Sequence, residues 1–215
     1  MLTDYYAGRE DAEREYEAFL RIYERLPKKG VVYDPCIFPW YQVELKPSEV
    51  ICALGFLAYV LQDEEKITQA AGLLGEITVS GYYSNRAGLV RLLLYHPANR
   101  TQRNLLIQYM GNAEENTSST AAKLIKKLKL EEQDYRLMED MLRFKRSVLR
   151  RELLEFLMGQ EDSGMEQCLK RLLADKKEEK RIAGLDLLMR LAKDPKKAAF
   201  YASVKPLAAA MEKPT

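Results

Sequence analysis

The sequence has few of the residues on which metal-binding, disulfide-rich and histidine-dependent proteins rely. Its 215 residues include one histidine, one tryptophan and three well-separated cysteines, Cys36, Cys52 and Cys168. Cysteines this far apart indicate neither a disulfide framework nor a zinc-binding pair, and one imidazole cannot form a histidine cluster. We therefore expect reduced thiols in the cytoplasm and no metal or other cofactor.

Long hydrophobic runs and an excess of one charge are also absent. The longest run without a charged residue, Val50 to Gln62, has 13 residues, whereas a membrane-crossing helix needs about 20. With 34 basic and 32 acidic residues the net charge is +2, which argues against a protein that coats nucleic acid or an anionic membrane. No basic segment leading into an apolar stretch opens the chain, so we expect neither a signal peptide nor a membrane partner.

Sequence motifs of catalysis are missing as well. No glycine-rich phosphate-binding loop, serine-nucleophile elbow or H-E-x-x-H zinc motif occurs. His96 precedes Pro97 at a predicted helix end, a position typical of a capping or solvent-facing histidine. Pairs of carboxylates such as Glu13 and Glu17 lie among basic residues, as on a solvated helix face. We therefore expect a protein that is not an enzyme.

The sequence does contain helical periodicity along almost its whole length. We predict helices over residues 4–26, 49–62, 64–78, 85–95, 99–110, 118–128, 131–144, 147–158, 163–174, 177–192 and 195–211. Ser48 and Asp63 are the expected N-caps of the second and third helices. Because the connections are short, neighbouring helices should be antiparallel and the fold class all-α.

The stretch from Pro27 to Pro47 is the exception, since prolines and aromatic residues interrupt it. We interpret it as an ordered loop with little room for strands. The predicted domains are therefore residues 1–47, an N-terminal helix with this loop, and residues 48–215, a helical array. Two roles remain open for Trp40 and Tyr41 in the loop: they could anchor a partner or cover the end of the array.

The array repeats itself. A shift of 31 residues places Met138 on Leu169 and Leu142 on Leu173, and the same shift places Leu154 on Leu185. Two helix pairs therefore share one pattern. We expect Leu154 to occupy an inward-facing position, with Leu185 as its counterpart in the next copy.

The second copy carries a family resemblance. Leu172-Leu173-Ala174-Asp175, followed by Arg181-Ile182-Ala183-Gly184 and Leu188, resembles the HEAT repeat, with an Asp in the turn and an Arg opening helix B. The resemblance is clearest over residues 131–215, although Phe144 replaces the Asp in the preceding copy. It implies a right-handed α-solenoid of HEAT-like helix pairs, preceded by a non-repeat helix and aromatic loop. The same stretch also resembles large bacterial repeat proteins related to a regulator of molybdate metabolism.

Basic residues are concentrated in the second half of the chain. Residues 1–119 carry 12 basic and 16 acidic residues, whereas residues 120–215 carry 22 and 16. Equivalent positions of a solenoid align, so recurring basic residues would form a stripe. The candidate partner-binding residues are Lys126, Lys127, Arg150, Arg151, Lys180, Arg181, Trp40 and Tyr41. The competing interpretation is that the repeat's Arg pairs with the turn Asp and the lysines solvate the surface, which the interleaved acidic residues favour.

These observations favour a non-catalytic scaffold that binds a protein partner. The alternative is a nucleic-acid-binding protein of the HEAT-like DNA glycosylase type, which the near-neutral charge and the lone tryptophan disfavour. At the C-terminal helix we expect Val204, Leu207, Ala208 and Met211 to present an uncovered apolar face. Such a face predicts either the N-terminal part of a longer repeat protein or self-association through this helix.

Overall fold

The structure, a computed structural model, describes residues 9–33, 42–77, 86–144 and 146–209. These residues are mostly helical, which confirms the all-α prediction. The chain divides into two compact units, Met1–Lys126 and Lys127–Thr215, so the predicted boundary at residue 47 falls inside the first unit.

The described helices of the first unit are α1 (Arg9–Arg25), α2 (Pro47–Leu61), α3 (Glu64–Leu73), α4 (Arg86–Leu93), α5 (Arg100–Met110) and α6 (Glu115–Ile125), with a 3₁₀ turn at Leu74–Glu76. Those of the second unit are α7 (Glu132–Met141), α8 (Ser147–Met158), α9 (Asp162–Leu173), α10 (Glu178–Lys193), α11 (Ala198–Val204) and α12 (Pro206–Ala209), with a 3₁₀ turn at Pro195–Lys197.

In the first unit, α2 is the central helix. It packs against α1, α3 and α4, and its Ile51 and Leu54 are completely buried. Tyr16 of α1 is also buried and donates a hydrogen bond of 2.9 Å to Oε1 of Gln69 in α3. Helix α5 packs against α3 and α6, and Tyr109 of α5 donates to the carbonyl of Ala71. The charge-free run from Val50 to Gln62, predicted as a helix, thus lies at the centre of this unit.

One of the two predicted N-caps is confirmed and the other is wrong. Asp63 caps α3, since its Oδ1 accepts the backbone N–H of Lys66 at 3.0 Å. Helix α2 begins at Pro47, one residue before Ser48, and its N-cap is Lys46, whose N–H donates to the Glu49 carboxylate at 3.0 Å. Proline is favoured at this first position because its missing N–H would have no helical partner there.

Two short strands lie within the stretch that the sequence predicts as a loop. Strand β1 (Val31–Tyr33) pairs antiparallel with β2 (Val43–Leu45), placing Val31 opposite Leu45. Valine and tyrosine favour extended backbone. Gly30 precedes β1 with φ 78°, and a Cβ there would lie 2.6 Å from the Leu45 carbonyl oxygen. Only glycine fits this close approach.

The second unit is built from packed helix pairs. Helix α7 packs against α8 and α9, α8 against α10, and α9 against α10. The 31-residue shift agrees with burial at α7 and α9. Met138 and Leu142, the C-cap of α7, correspond to Leu169 and Leu173, and all four are buried. The first helices of the two successive pairs, α7 and α9, therefore bury equivalent faces.

The same shift fails in α8 and α10, and the expectation that Leu185 faces inward is wrong. Leu154 is 2% exposed but Leu185 is 39% exposed. Burial aligns Leu154 with Leu188, a shift of 34 residues. Helix α10 has 16 residues against 12 in α8, and the added turn lies at its N-terminal end. Successive residues of an α-helix are about 100° apart, so an error of three residues rotates a side chain by about 300°. The side chain then points about 60° away from the inward direction.

The apolar face expected at the C-terminal helix is partly covered. Val204 is 1% exposed, Leu207 is half-buried, and α12 packs against α9. Pro206 separates α11 from α12, because proline cannot donate within a helix interior. Met211 lies outside the described residues. The expected uncovered face is therefore wrong at Val204.

Candidate interaction surface

Two of the predicted basic residues form ion pairs between helices of the second unit. Arg150 of α8 donates from Nη2 to Oδ2 of Asp186 in α10 at 2.7 Å, and from Nη1 to the Glu179 carbonyl at 3.2 Å. Lys180 of α10 lies 2.7 Å from Asp140 and 3.3 Å from Asp175. These cations join neighbouring helices, so their charge is largely neutralised within the unit.

Arg181 serves the turn between α9 and α10. Its Nη1 donates to the carbonyl oxygens of Asp175 and Lys176 at 3.1 and 2.9 Å. The Asp175 carboxylate instead accepts the backbone N–H of Lys177 at 2.8 Å. That hydrogen bond, together with Lys180, lowers the pKa of Asp175 below its ordinary value. Arg181 thus contacts Asp175 through the backbone carbonyl of Asp175. The interpretation considered for the repeat is instead a direct pair between the Arg and the turn Asp.

The remaining candidates do not join this group. Arg151 is exposed on α8. Lys126 and Lys127 are both exposed, Lys126 ending the first unit and Lys127 beginning the second. Trp40 and Tyr41 lie outside the described residues. Arg150, Lys180 and Arg181 are thus engaged in contacts within the second unit. This reduces the support for a continuous anion-binding stripe.

A charged pair between α7 and α9, formed by the buried Glu139 and the half-buried Arg171, was not indicated by the sequence. Arg171 donates from Nε and Nη2 to the two carboxylate oxygens of Glu139 at 2.9 and 2.7 Å. Glu139 is only 5% exposed, and its hydrogen bonds raise the pKa of Arg171. Burial, with the adjacent Glu139 charge, raises the pKa of the Cys168 thiol. A buried protonated thiol beside a satisfied ion pair is suited to packing and not to nucleophilic attack.

An exposed apolar row lies on the outer side of α10. Ile182, Leu185 and Met189 are 43%, 39% and 56% exposed, and we call these three residues the α10 stripe. Spacings of three and four residues place them on one helix face, opposite the buried face that contains Leu187 and Leu191. Helix α8, which packs against α10, exposes Val148 to 56% on its own outer side.

Charged residues border the α10 stripe. At about 100° per residue, Arg181 lies along one side of it and Asp186 along the other. Both are held by contacts within the unit, Arg181 by the turn carbonyls and Asp186 by Arg150. An apolar centre with a fixed polar border is the usual arrangement of a protein-binding patch. The sequence did contain a signal for this exposed row, because the apolar residues of α10 lie on two opposite faces of the helix.

Metal-binding clusters and membrane-spanning helices are both absent from the parts of the chain that the structure describes. Among these residues no group of three His, Cys, Asp or Glu side chains could hold a metal ion. Their helices include none with both the length and the apolar character needed to cross a membrane.

Comparison with known proteins identifies a family. No curated protein and no solved structure matches the chain significantly. A family model does match, and it covers residues 1–215. The chain therefore belongs to the family described as a family of unknown function, DUF5724.

Proposed function

We propose that the chain is a non-catalytic protein-interaction scaffold, built as a right-handed solenoid of HEAT-like helix pairs and acting in the cytoplasm. The support for this architecture is the pairing in the second unit, where α7 packs against α9 and α8 against α10. Stacked pairs bury each helix against its neighbours and leave long outer faces available to a partner. The proposed partner is a protein.

The observation that carries this proposal is the α10 stripe. Its three large apolar side chains are each more than a third exposed and lie in one row on a 16-residue helix. Apolar area exposed to water costs free energy that a partner surface recovers on binding. Contiguous apolar rows with polar borders therefore mark protein-binding sites more often than isolated exposed residues do.

Nucleic-acid binding of the HEAT-like DNA glycosylase type remains the alternative function. A depression of about 620 Å³ in the second unit supports it, since Arg136, Lys176 and Lys177 line it together with Arg171 and Lys180. Three carboxylates also line this depression, and two of them neutralise Lys180. A phosphate backbone is bound by cations that can exchange their counterions. The paired cations disfavour this alternative.

A photo-crosslinking experiment tests the scaffold proposal. Benzoylphenylalanine replaces Leu185 in the α10 stripe, or Lys170 on the exposed polar face of α9 as the control. We expect a defined protein adduct from position 185 only. The adducted protein, once purified, should bind the unmodified chain directly, and Met189→Glu should weaken that binding at least about tenfold. Equal adducts from both positions, or unchanged binding by Met189→Glu, would overturn the proposal.

A further inference from the structure

A cavity in the first unit lies where α2 ends, α3 begins and α4 ends. Its volume is about 500 Å³, and its walls include Tyr59, Ile67, Arg91, Leu92, Tyr95 and His96. Pockets of about 300–1,000 Å³ with mainly apolar and aromatic walls are the usual size and character of small-molecule sites. This cavity is separate from the α10 stripe, which belongs to the second unit.

The cavity walls carry one positive charge and no negative one. None of the lining residues is acidic. Arg91 is exposed, and no carboxylate among residues 9–33, 42–77, 86–144 and 146–209 pairs with it. A guanidinium with open donors recognises a planar anion with two parallel hydrogen bonds. The charge of the cavity thus complements an anionic ligand.

Three aromatic rings line the same cavity as Arg91. Tyr59 is 38% and Tyr95 42% exposed, so parts of both rings are accessible to a ligand. The His96 ring meets Tyr95 edge to face, with centroids 4.4 Å apart. Leu93, which is buried, and Ile67, which is half-buried, also line the cavity and give it an apolar floor. Rings and an apolar floor favour a flat aromatic body over a compact, strongly hydrated anion such as phosphate.

The connection between α2 and α3 contributes Gln62 to the cavity lining. Gln62 ends α2 in the left-handed conformation, with φ 52°, and its side chain donates to the Tyr59 carbonyl. This tight end turns the chain into α3 within two residues. Tyr59 of α2 and Ile67 of α3 therefore line one cavity.

The geometry points to a binding site for a small aromatic carboxylate: Arg91 pairs with the carboxylate, and the rings of Tyr59, Tyr95 and His96 pack against the aromatic body. This inference is independent of the scaffold function proposed above. The competing role for Arg91 is structural, because a cation in the last turn of α4 stabilises that helix through its dipole. The two roles differ in their effects on ligand affinity and on stability.

Calorimetry with 2-naphthoate and its neutral analogue 2-naphthylmethanol tests the site on the full chain. We expect saturable 2-naphthoate binding with a Kd of about 1 mM or tighter, and at least about tenfold weaker binding of the alcohol. Arg91→Gln should weaken 2-naphthoate binding at least about tenfold. Arg25→Gln, an exposed arginine on α1 outside the cavity, should leave the Kd unchanged.

A second variant and a stability measurement keep the test decisive. Tyr59→Leu should weaken both compounds by a similar factor, because it removes a ring and no charge. Thermal unfolding is recorded for each variant, so loss of fold is not read as loss of binding. Equal affinity for the acid and the alcohol, or binding insensitive to Arg91→Gln, would overturn the proposal, as would the absence of saturable binding by the unmodified chain up to about 5 mM.

Discussion

At the residue scale, the direction in which a leucine points decides whether it stabilises the fold or remains available to a partner. Leu154 and Leu188 are 2% and 5% exposed, and both lie on the buried faces of packed helices. Leu185 occupies the same helix as Leu188 but is 39% exposed. Chemically identical side chains thus offer a matched comparison within one unit.

We predict that Leu154→Ala and Leu188→Ala each lower the free energy of unfolding by about 2–4 kcal/mol, because each leaves a cavity in a packed core. Leu185→Ala should cost less than about 1 kcal/mol, since much of that side chain already contacts water. Urea denaturation followed by circular dichroism measures all three. Similar losses at Leu185 and Leu188 would contradict the 34-residue register of α8 and α10.

The Glu139–Arg171 pair gives a second comparison between residues. Arg171→Ala leaves the buried Glu139 carboxylate without its two hydrogen bonds, so we predict a loss of about 2–3 kcal/mol. Arg136 pairs with Glu132 on the surface of α7, where both side chains are more than half exposed. Arg136→Ala should therefore cost at most about 0.5 kcal/mol. Urea denaturation followed by circular dichroism measures both losses. Equal losses for Arg171→Ala and Arg136→Ala would show that the Glu139–Arg171 pair contributes nothing beyond a surface pair.

At the element scale, glycines in helices show which faces are closely packed. A Cβ on Gly184 of α10 would lie 2.8 Å from Cδ2 of Leu173 in α9, whereas a Cβ on Gly72 of α3 would meet nothing within 4 Å. The first glycine permits α9 and α10 to approach one another. The second has no packing reason in the described structure.

We predict opposite effects for alanine at these two helical glycines. Gly72→Ala should stabilise the chain by about 0.5–1 kcal/mol, because alanine loses less backbone entropy in a helix. Gly184→Ala should destabilise it by about 1–3 kcal/mol through overpacking against Leu173. Thermal unfolding measures both changes. Stabilisation by Gly184→Ala would mean that α9 and α10 separate readily at this contact.

Helix positions were predictable from the sequence, but the rotation of α10 and its partners were not. Apolar spacing is a local property, so it located α2 and α9 within a few residues. The rotation of α10 depends on packing against α8 and α9, and its apolar residues lie on two faces, so a constant 31-residue shift selected Leu185 in place of Leu188. Strand β1 was missed because its pairing with β2 is not local.

The candidate surfaces show the same limit. The sequence identified Arg150 and Lys180 as recurring basic residues, but it could not show that carboxylates on other helices, Asp186 and Asp140, pair with them. Long-range partners depend on the packing of whole helices. Likewise, the cavity beside Arg91 is formed by the ends of three separate helices, and no motif in any one of them indicates it.

At the scale of the whole molecule, charge decides between a protein partner and a nucleic acid. The net charge is +2, and the second half of the chain has 22 basic against 16 acidic residues. Several of those basic residues are already paired within the second unit, including Arg150, Arg171 and Lys180. A duplex would have to displace these carboxylates to gain the same cations.

We therefore predict that duplex DNA binds the chain no more tightly than about 10⁻⁵ M near physiological salt, within the usual non-specific range. Each phosphate contact contributes about −0.9 to the slope of log K against log salt, so a weakly bound duplex should give a shallow slope. Fluorescence anisotropy of a labelled duplex between about 50 and 200 mM salt measures both quantities. The double variant Lys176→Gln, Lys177→Gln is the control, since it removes two exposed cations from the turn between α9 and α10. A slope of about −5 or steeper for the unmodified chain, becoming less negative by about 2 in this variant, would establish a phosphate-binding surface at that turn. That result would contradict the scaffold proposal.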